Sequence, residues 1–466
     1  MSNSMPGGDI AQLISTRAAE AMALNQRHLN PQLGRVLQTL GYDRRWVRGE
    51  GTYLIDADGE RYLDMYAGYG VFALGRNHPY VKQQLHRLID ADPPSLPQLG
   101  TSLLAGVLAE QLIARAPAHL DAVFLTNSGT ESVEGALKFA RAATGRSRIL
   151  FCSRAFHGLS YGALSANGND EYRERFGPLL PGFERIPFGD LDALAVALGA
   201  GDVAALIVEP VQGKGVYVAP DGYLAAAQRL LHSAGALLIA DEVQTGLGRT
   251  GKFLALEHWG LKPDIVTLSK ALSGGFVPIG AVLASRAVFD ATFDSLENSV
   301  VHSSTFGGGD LAAAAGLATL NVLDHDRLVE RAAQLGGLLH ELTRPLAQRF
   351  EIVREVRGLG LMWAIELGPP PGPLARRTWE AIERRQPGFF AQLVTVPLFH
   401  DHHILTQVAG HHLNVVKVLP ALTIAEQDLR RFVRALEEVL GQAERHALRT
   451  YADVSLGLAR RRALAR

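Results

Sequence analysis

Between residues 100 and 325 the chain alternates compact apolar runs with stretches of helical period. The runs fall at 122–125, 149–152, 204–208, 236–240 and 265–268. Runs this short, apolar on both sides and separated by helices, predict buried strands in a mostly parallel sheet covered on both faces. Earlier, residues 1–50 read as helical and polar, broken at Pro31, and predict an N-terminal arm. Residues 52–56 and 61–64 alternate around Asp58-Gly59, a hairpin signal. Gly68, Gly70 and Gly75 mark a close-packed loop that ends at His78-Pro79. After the large unit, a helix over 328–349 leads to strands at 352–356, 360–365 and 413–418 and a last helix over 425–440. The fold expected is α/β: an arm (1–50), a large sheet domain (100–328), and a smaller α+β domain built from 51–99 and 329–445. A tail follows at 446–466.

Composition narrows the function classes. With 466 residues, 47% hydrophobic and 20% charged, the chain reads as an ordinary globular protein with a large core. A formal net charge of -1 offers no field for nucleic acid or an anionic membrane. Cys152 is the only cysteine; an intrachain disulfide is impossible and a reducing cytoplasm is expected. Its place inside an apolar run suits core packing better than a nucleophile. The first residues carry neither a basic nor an apolar stretch of the signal-peptide kind, and no run is long enough to span a bilayer. The Arg-rich segment 456–466 reads either as a solvated terminal helix or as a basic face for a membrane or carrier-bound substrate.

Two of the apolar runs end in charge. Residues 236–240 lead into Asp241-Glu242-Val243-Gln244, and 265–268 lead into Ser269-Lys270, followed by a turn at Gly274-Gly275. Isolated charges at the ends of buried strands are costly unless paired. Pyridoxal phosphate uses such a pair: a lysine amine forms a Schiff base, and a carboxylate keeps the ring nitrogen protonated so that the ring draws electrons. Residues 126–134 follow a strand and open a helix. Ser128 and Glu131 fit a capping box there, while Gly129 and the helix N-terminus also fit a phosphate cradle. Phe156, at the mouth of the 149–152 strand, could stack on a planar ring or simply pack in the core. Val243 could cover the other ring face and Gln244 could reach a ring hydroxyl. All these groups sit at carboxyl ends of strands, where open α/β sheets bind ligands.

The segment from Leu238 through Asp241-Glu242-Val243-Gln244-Thr245-Gly246 to Lys270-Ala271-Leu272-Ser273-Gly274-Gly275 resembles the signature of class III aminotransferases. This is the fold-type-I pyridoxal phosphate family of ornithine, 4-aminobutyrate and putrescine aminotransferases. Asn127-Ser128-Gly129-Thr130-Glu131, Phe156-His157-Gly158, Glu209-Pro210-Val211-Gln212-Gly213 and Ser304-Thr305-Phe306-Gly307-Gly308 match further motifs in order, so the resemblance runs from about residue 53 to about 440. Residues 158–223 are most similar to putrescine aminotransferase. The resemblance implies that Lys270 carries the cofactor and shuttles the proton, and that Asp241 pairs with the ring nitrogen. It also implies that Ser128, Gly129 and Thr130 bind the phosphate, that Phe156, His157 and Val243 surround the ring, and that Gln244 meets its hydroxyl. Glu209 would support the site or act as a buried structural acid. Thr305 would reach the phosphate of a neighbouring subunit, which implies a homodimer with shared sites. Tyr69, Phe72, Tyr161 and the region of Phe399 would shape substrate choice.

Two departures bear on substrate. Many members carry an arginine near the C-terminal Pro-Pro-Leu that grips an α-carboxylate, and an acid after the Gln-Gly pair that holds the arginine aside. Here the aligned residues are Lys417 and Lys214. Lysine lacks the bidentate fork. Either one of these lysines still anchors the carboxylate of a keto-acid partner, or the site favours terminal amines and aldehydes without an α-carboxylate. The reaction expected is ping-pong transfer of an amino group from a small-molecule amine to a carbonyl acceptor. A racemase, aminomutase or decarboxylase on the same fold, or a non-catalytic dimeric scaffold, is the rival reading. No metal is expected: the histidines at 400–403 and 411–412 read as a substrate-channel loop with Pro397, Leu398 and Phe399 as an apolar wall. His302 reads as a residue behind the site, and Arg357 as part of a turn into a buried strand.

Overall fold

Seven strands form the central sheet of the computed structural model, which describes residues 9–95 and 100–445. Their order across the sheet is Ala122–Thr126, Gly280–Ala284, Ile265–Leu268, Leu237–Asp241, Val203–Val208, Arg148–Cys152 and Phe183–Ile186. Gly280–Ala284 runs antiparallel to both neighbours, and the other four neighbouring pairs are parallel. Val203–Val208, Ile265–Leu268 and Gly280–Ala284 are buried at every position, as strands covered on both faces should be. Two strands escape the sequence reading. Gly280–Ala284 is rich in Ala and Gly, and Phe183–Ile186 carries Glu184 and Arg185 at an exposed sheet edge.

The hairpin forms at Tyr53–Asp56 and Arg61–Asp64, with Asp56 Oδ1 accepting from the amides of Asp58 and Glu60 at 3.0 Å. The helical arm ends earlier than expected. Helices occupy residues 10–40, but Trp46–Glu50 is a strand that pairs with Tyr53–Asp56. Ile404–Leu405 adds in parallel beside Arg61–Asp64, which ties the N-terminal hairpin to the C-terminal part of the chain. A second four-stranded sheet, ordered Val353–Leu359, Met362–Leu367, Val415–Val418 and Gln407–Val408, lies there too. Arg357 is inside its first strand rather than in a turn.

Pro397, Leu398 and Phe399, expected as the apolar wall of the histidine loop, belong to a helix that ends where that loop begins. Phe389–His400 forms one helix with Pro397 inside it, and Leu398 and Phe399 are buried. The run 389–399 is apolar except for Gln392 and Thr395 and mostly buried, which hides helical period. The histidines downstream disperse to separate partners: His400 to the Leu40 carbonyl, His403 to Glu60 and His411 to Glu171. Among the described residues no three His, Cys, Asp or Glu side chains converge as a metal site would, and no helix is long and apolar enough to cross a membrane. The Arg-rich tail lies outside the described residues.

Candidate active site

Asp241 ends the strand Leu237–Asp241 in the middle of the sheet and is 3% exposed. Its Oδ1 accepts from the Val243 amide and the Thr267 hydroxyl, each at 3.0 Å, and its Oδ2 accepts from His157 Nδ1 at 2.6 Å. These three donors fix the orientation of the carboxylate. Burial alone would lower the His157 pKa, but the hydrogen bond and charge of Asp241, helped by Glu209, outweigh it and raise the value. His157, expected beside the ring, is thus committed to Asp241. The Thr267 contact went unread in the sequence because a threonine inside an apolar strand looks like ordinary β-branched filling.

Lys270 follows the neighbouring strand Ile265–Leu268 and opens a short 3₁₀ turn, Lys270–Ser273. Its φ of 39° lies in the left-handed region, which costs a non-glycine residue conformational energy and is a recurring trait of functional positions. Burial lowers the amine's pKa, while the charges of Asp241 and Glu209 act in the opposite sense and Lys214 lowers it further. Glu209 receives the amides of Phe156 at 3.4 Å and Gly213 at 3.2 Å, and burial pushes its carboxyl up to about 7.

The helix Gly129–Thr144 starts at the edge of this cluster. Ser128 caps it by accepting the Glu131 amide at 3.3 Å, while Glu131 reaches back to the Asn127 amide at 2.8 Å. The amides of Gly129 and Thr130 then lie at the positive end of the dipole without an acceptor inside the helix. A Cβ on Gly129 would come within 2.7 Å of Val243 Cγ1, so glycine lets the helix end approach the Asp241 strand. The Thr130 hydroxyl lies 2.6 Å from that of Ser160.

The other expected residues divide into two groups. Lys214 donates to the Tyr172 hydroxyl at 2.8 Å and lies 5.1 Å from the Phe156 ring centre, with Tyr172 edge-on to Phe156. Tyr172 is a neighbour that the sequence did not single out. Lys417 is buried and donates to the Gly213 carbonyl and Gln244 Oε1, both at 2.6 Å, and Gln244 Nε2 donates to the Tyr69 carbonyl at 3.0 Å. Phe72 packs under Arg76, whose guanidinium carbon is 4.1 Å from its ring centre. Thr305 lies on an exposed turn, and Tyr161 is also exposed. His302 packs on Phe124, ring centres 4.7 Å apart. A cleft of about 720 Å³ extends from Tyr69, Tyr172 and Lys214 to Val36, Leu37 and Leu40 of the arm, with Trp46 and Phe399 on its walls.

Known proteins similar to this chain are aminotransferases. The aminotransferase PigE of Serratia sp. (strain ATCC 39006) is 37% identical over 465 residues, 92% of this chain and 54% of that protein, so the chain spans about half the length of this curated relative. An (S)-enantioselective omega-transaminase from Thermomicrobium roseum superposes with a TM-score of 0.79 at 30% identity, over 91% of this chain and 98% of the other. An amine transaminase from an uncultivated Pseudomonas species, solved with pyridoxal phosphate bound, gives 0.74 at 31% identity over 85% and 94%. The family model described as "Aminotransferase class-III" matches residues 41–440, and the chain belongs to that family.

Proposed function

We propose that the chain is a pyridoxal-phosphate-dependent aminotransferase that moves an amino group from a primary amine to a carbonyl acceptor, favouring donors without an α-carboxylate. One observation carries the reading: a buried carboxylate held by His157, Thr267 and Val243 ends the strand beside the one that delivers Lys270. When bound, the cofactor supplies an electron sink that acidifies the carbon bearing the amino group. Asp241 would hold a proton on the ring nitrogen. The Gly129 and Thr130 amides, beside Ser128, would take the phosphate at the helix N-terminus. Val243 and Phe156 would bound the two ring faces, and Gln244 would meet the ring hydroxyl. The Lys270 amine, made less basic by burial, is suited to take a proton from the substrate carbon and return it nearby.

Substrate preference rests on the cleft. Among the described residues that line it, Lys214 is the single lysine or arginine, and the far end is apolar. The carbon skeleton of an amine donor fits the apolar end, and Lys214 is the group suited to the carboxylate of a keto-acid acceptor. A cytoplasmic homodimer belongs to the same proposal. It is supported by exposed Thr305 and by Phe306, 65% exposed, next to a cavity of about 530 Å³ lined by Val123, Ser304 and Gly307. The test is a panel of amines added to the cofactor-loaded full chain without acceptor. Accumulation of the cofactor's amino form, reversed by a keto acid and absent in Lys270→Ala, is expected. Turnover without that form would favour a racemase or decarboxylase, and failure to take up the cofactor would favour a scaffold.

A further inference from the structure

Lys417 lies on Val415–Val418, paired with Ala364 on one side and Gln407 on the other, and is 1% exposed. A lysine that could grip a substrate carboxylate needs a donor aimed at open space. Lys417 instead donates to the Gly213 carbonyl and to Gln244 Oε1, both at 2.6 Å. Lys417 Nζ spends N–H groups on both of these carbonyl oxygens, so Gln244 presents Oε1 to it. The Gln244 amide nitrogen then faces the other way and donates one N–H to the Tyr69 carbonyl at 3.0 Å, which leaves its second N–H for the site. Gly213 is itself anchored through its amide to Glu209. A Cβ at 213 would lie 2.8 Å from Gln244 Oε1, so the glycine lets the three groups close up. Burial, with Lys270, Lys214 and Arg249 nearby, holds the Lys417 amine well below its ordinary pKa, a poor setting for a carboxylate clamp.

We propose that Lys417 is a positioning residue: it orients the Gln244 amide so that an N–H, and not the carbonyl, faces the ring hydroxyl of the cofactor, and it does not hold a substrate carboxylate. This rests on the aminotransferase reading above. The visible band of the cofactor-loaded enzyme reports the ionisation of the cofactor bonded to Lys270, which a hydrogen bond to the ring hydroxyl influences. Lys417→Met should shift the midpoint of that band's pH titration by about one unit, the scale of one lost hydrogen bond. Gln244→Leu should shift it equally, and the double variant no further. The KM for keto acids in Lys417→Met should stay within about twofold, since uniform binding is untouched. Gly213→Ala, which keeps Lys417 but crowds Gln244 away from it, should give the same shift and serves if Lys417→Met does not fold. A midpoint that stays put, shifts that add in the double variant, or a tenfold rise in keto-acid KM would overturn the proposal. Failure of the unaltered chain to bind the cofactor is seen before any variant is made and would instead sink the underlying reading.

Discussion

The bond between His157 and Asp241 can be weighed by two substitutions that differ in one donor. Asp241 receives two bonds on Oδ1 and the His157 bond on Oδ2, the shortest at 2.6 Å. Asparagine at 157 places a side-chain amide where Nδ1 now stands; leucine does not. Both change the packing of a buried side chain, so their difference isolates the donor. A hydrogen bond to a charged group nets about 1.5–3 kcal/mol. In urea unfolding of the cofactor-free protein, His157→Leu should therefore be about 2 kcal/mol less stable than His157→Asn. Cofactor affinity should fall about tenfold or more for leucine relative to asparagine, as Asp241 loses the donor that fixes its orientation toward the ring nitrogen. The pH dependence has a sign. The His157 pKa is raised above 6.5 in the folded state, so the stability from its protonated form is fully present below 6.5 and is lost as pH rises through the raised value. The gap between the parent chain and His157→Leu should narrow over that rise. Equal losses in the two variants, in both stability and affinity, would refute the claim that this bond holds the carboxylate.

Gly129→Ala puts a Cβ within 2.7 Å of Val243 Cγ1 and should cost about 1–3 kcal/mol of stability through overpacking while weakening cofactor uptake; thermal melts with and without cofactor check it. Glu242 is 1% exposed and accepts the amides of Ala255 and Leu256 at 3.0 and 2.7 Å, and burial lifts its carboxyl from 4.5 to about 7. The folded chain thus holds that proton more tightly than the unfolded chain, so the associated stability is complete below about 4.5 and is lost as pH rises through about 7. Glu242→Gln should flatten that decline in cofactor-free unfolding curves; an unchanged slope would show that the pH dependence comes from elsewhere.

The alternation of apolar runs and helical stretches already determined the class of sheet, because strands buried on both faces must be apolar throughout. Charge at a strand end drew attention to Asp241 and Lys270 for the same reason: desolvation makes an unpaired charge there expensive. Gly280–Ala284 was not legible, since small residues carry no strand period and their burial comes from neighbours distant in the chain. The helix Phe389–His400 was not legible, because a mostly apolar, mostly buried helix shows little polar stripe to mark its period. Most of all, only the tertiary structure decided which donors meet which acceptors. His157 is 84 residues from Asp241 and Lys417 is 173 from Gln244, and direction-dependent hydrogen bonds at such separations leave no periodic trace in a sequence. Apolar burial is additive and local enough to be read along the chain, whereas the orientation of a buried amide or imidazole exists only once the chain has closed around it.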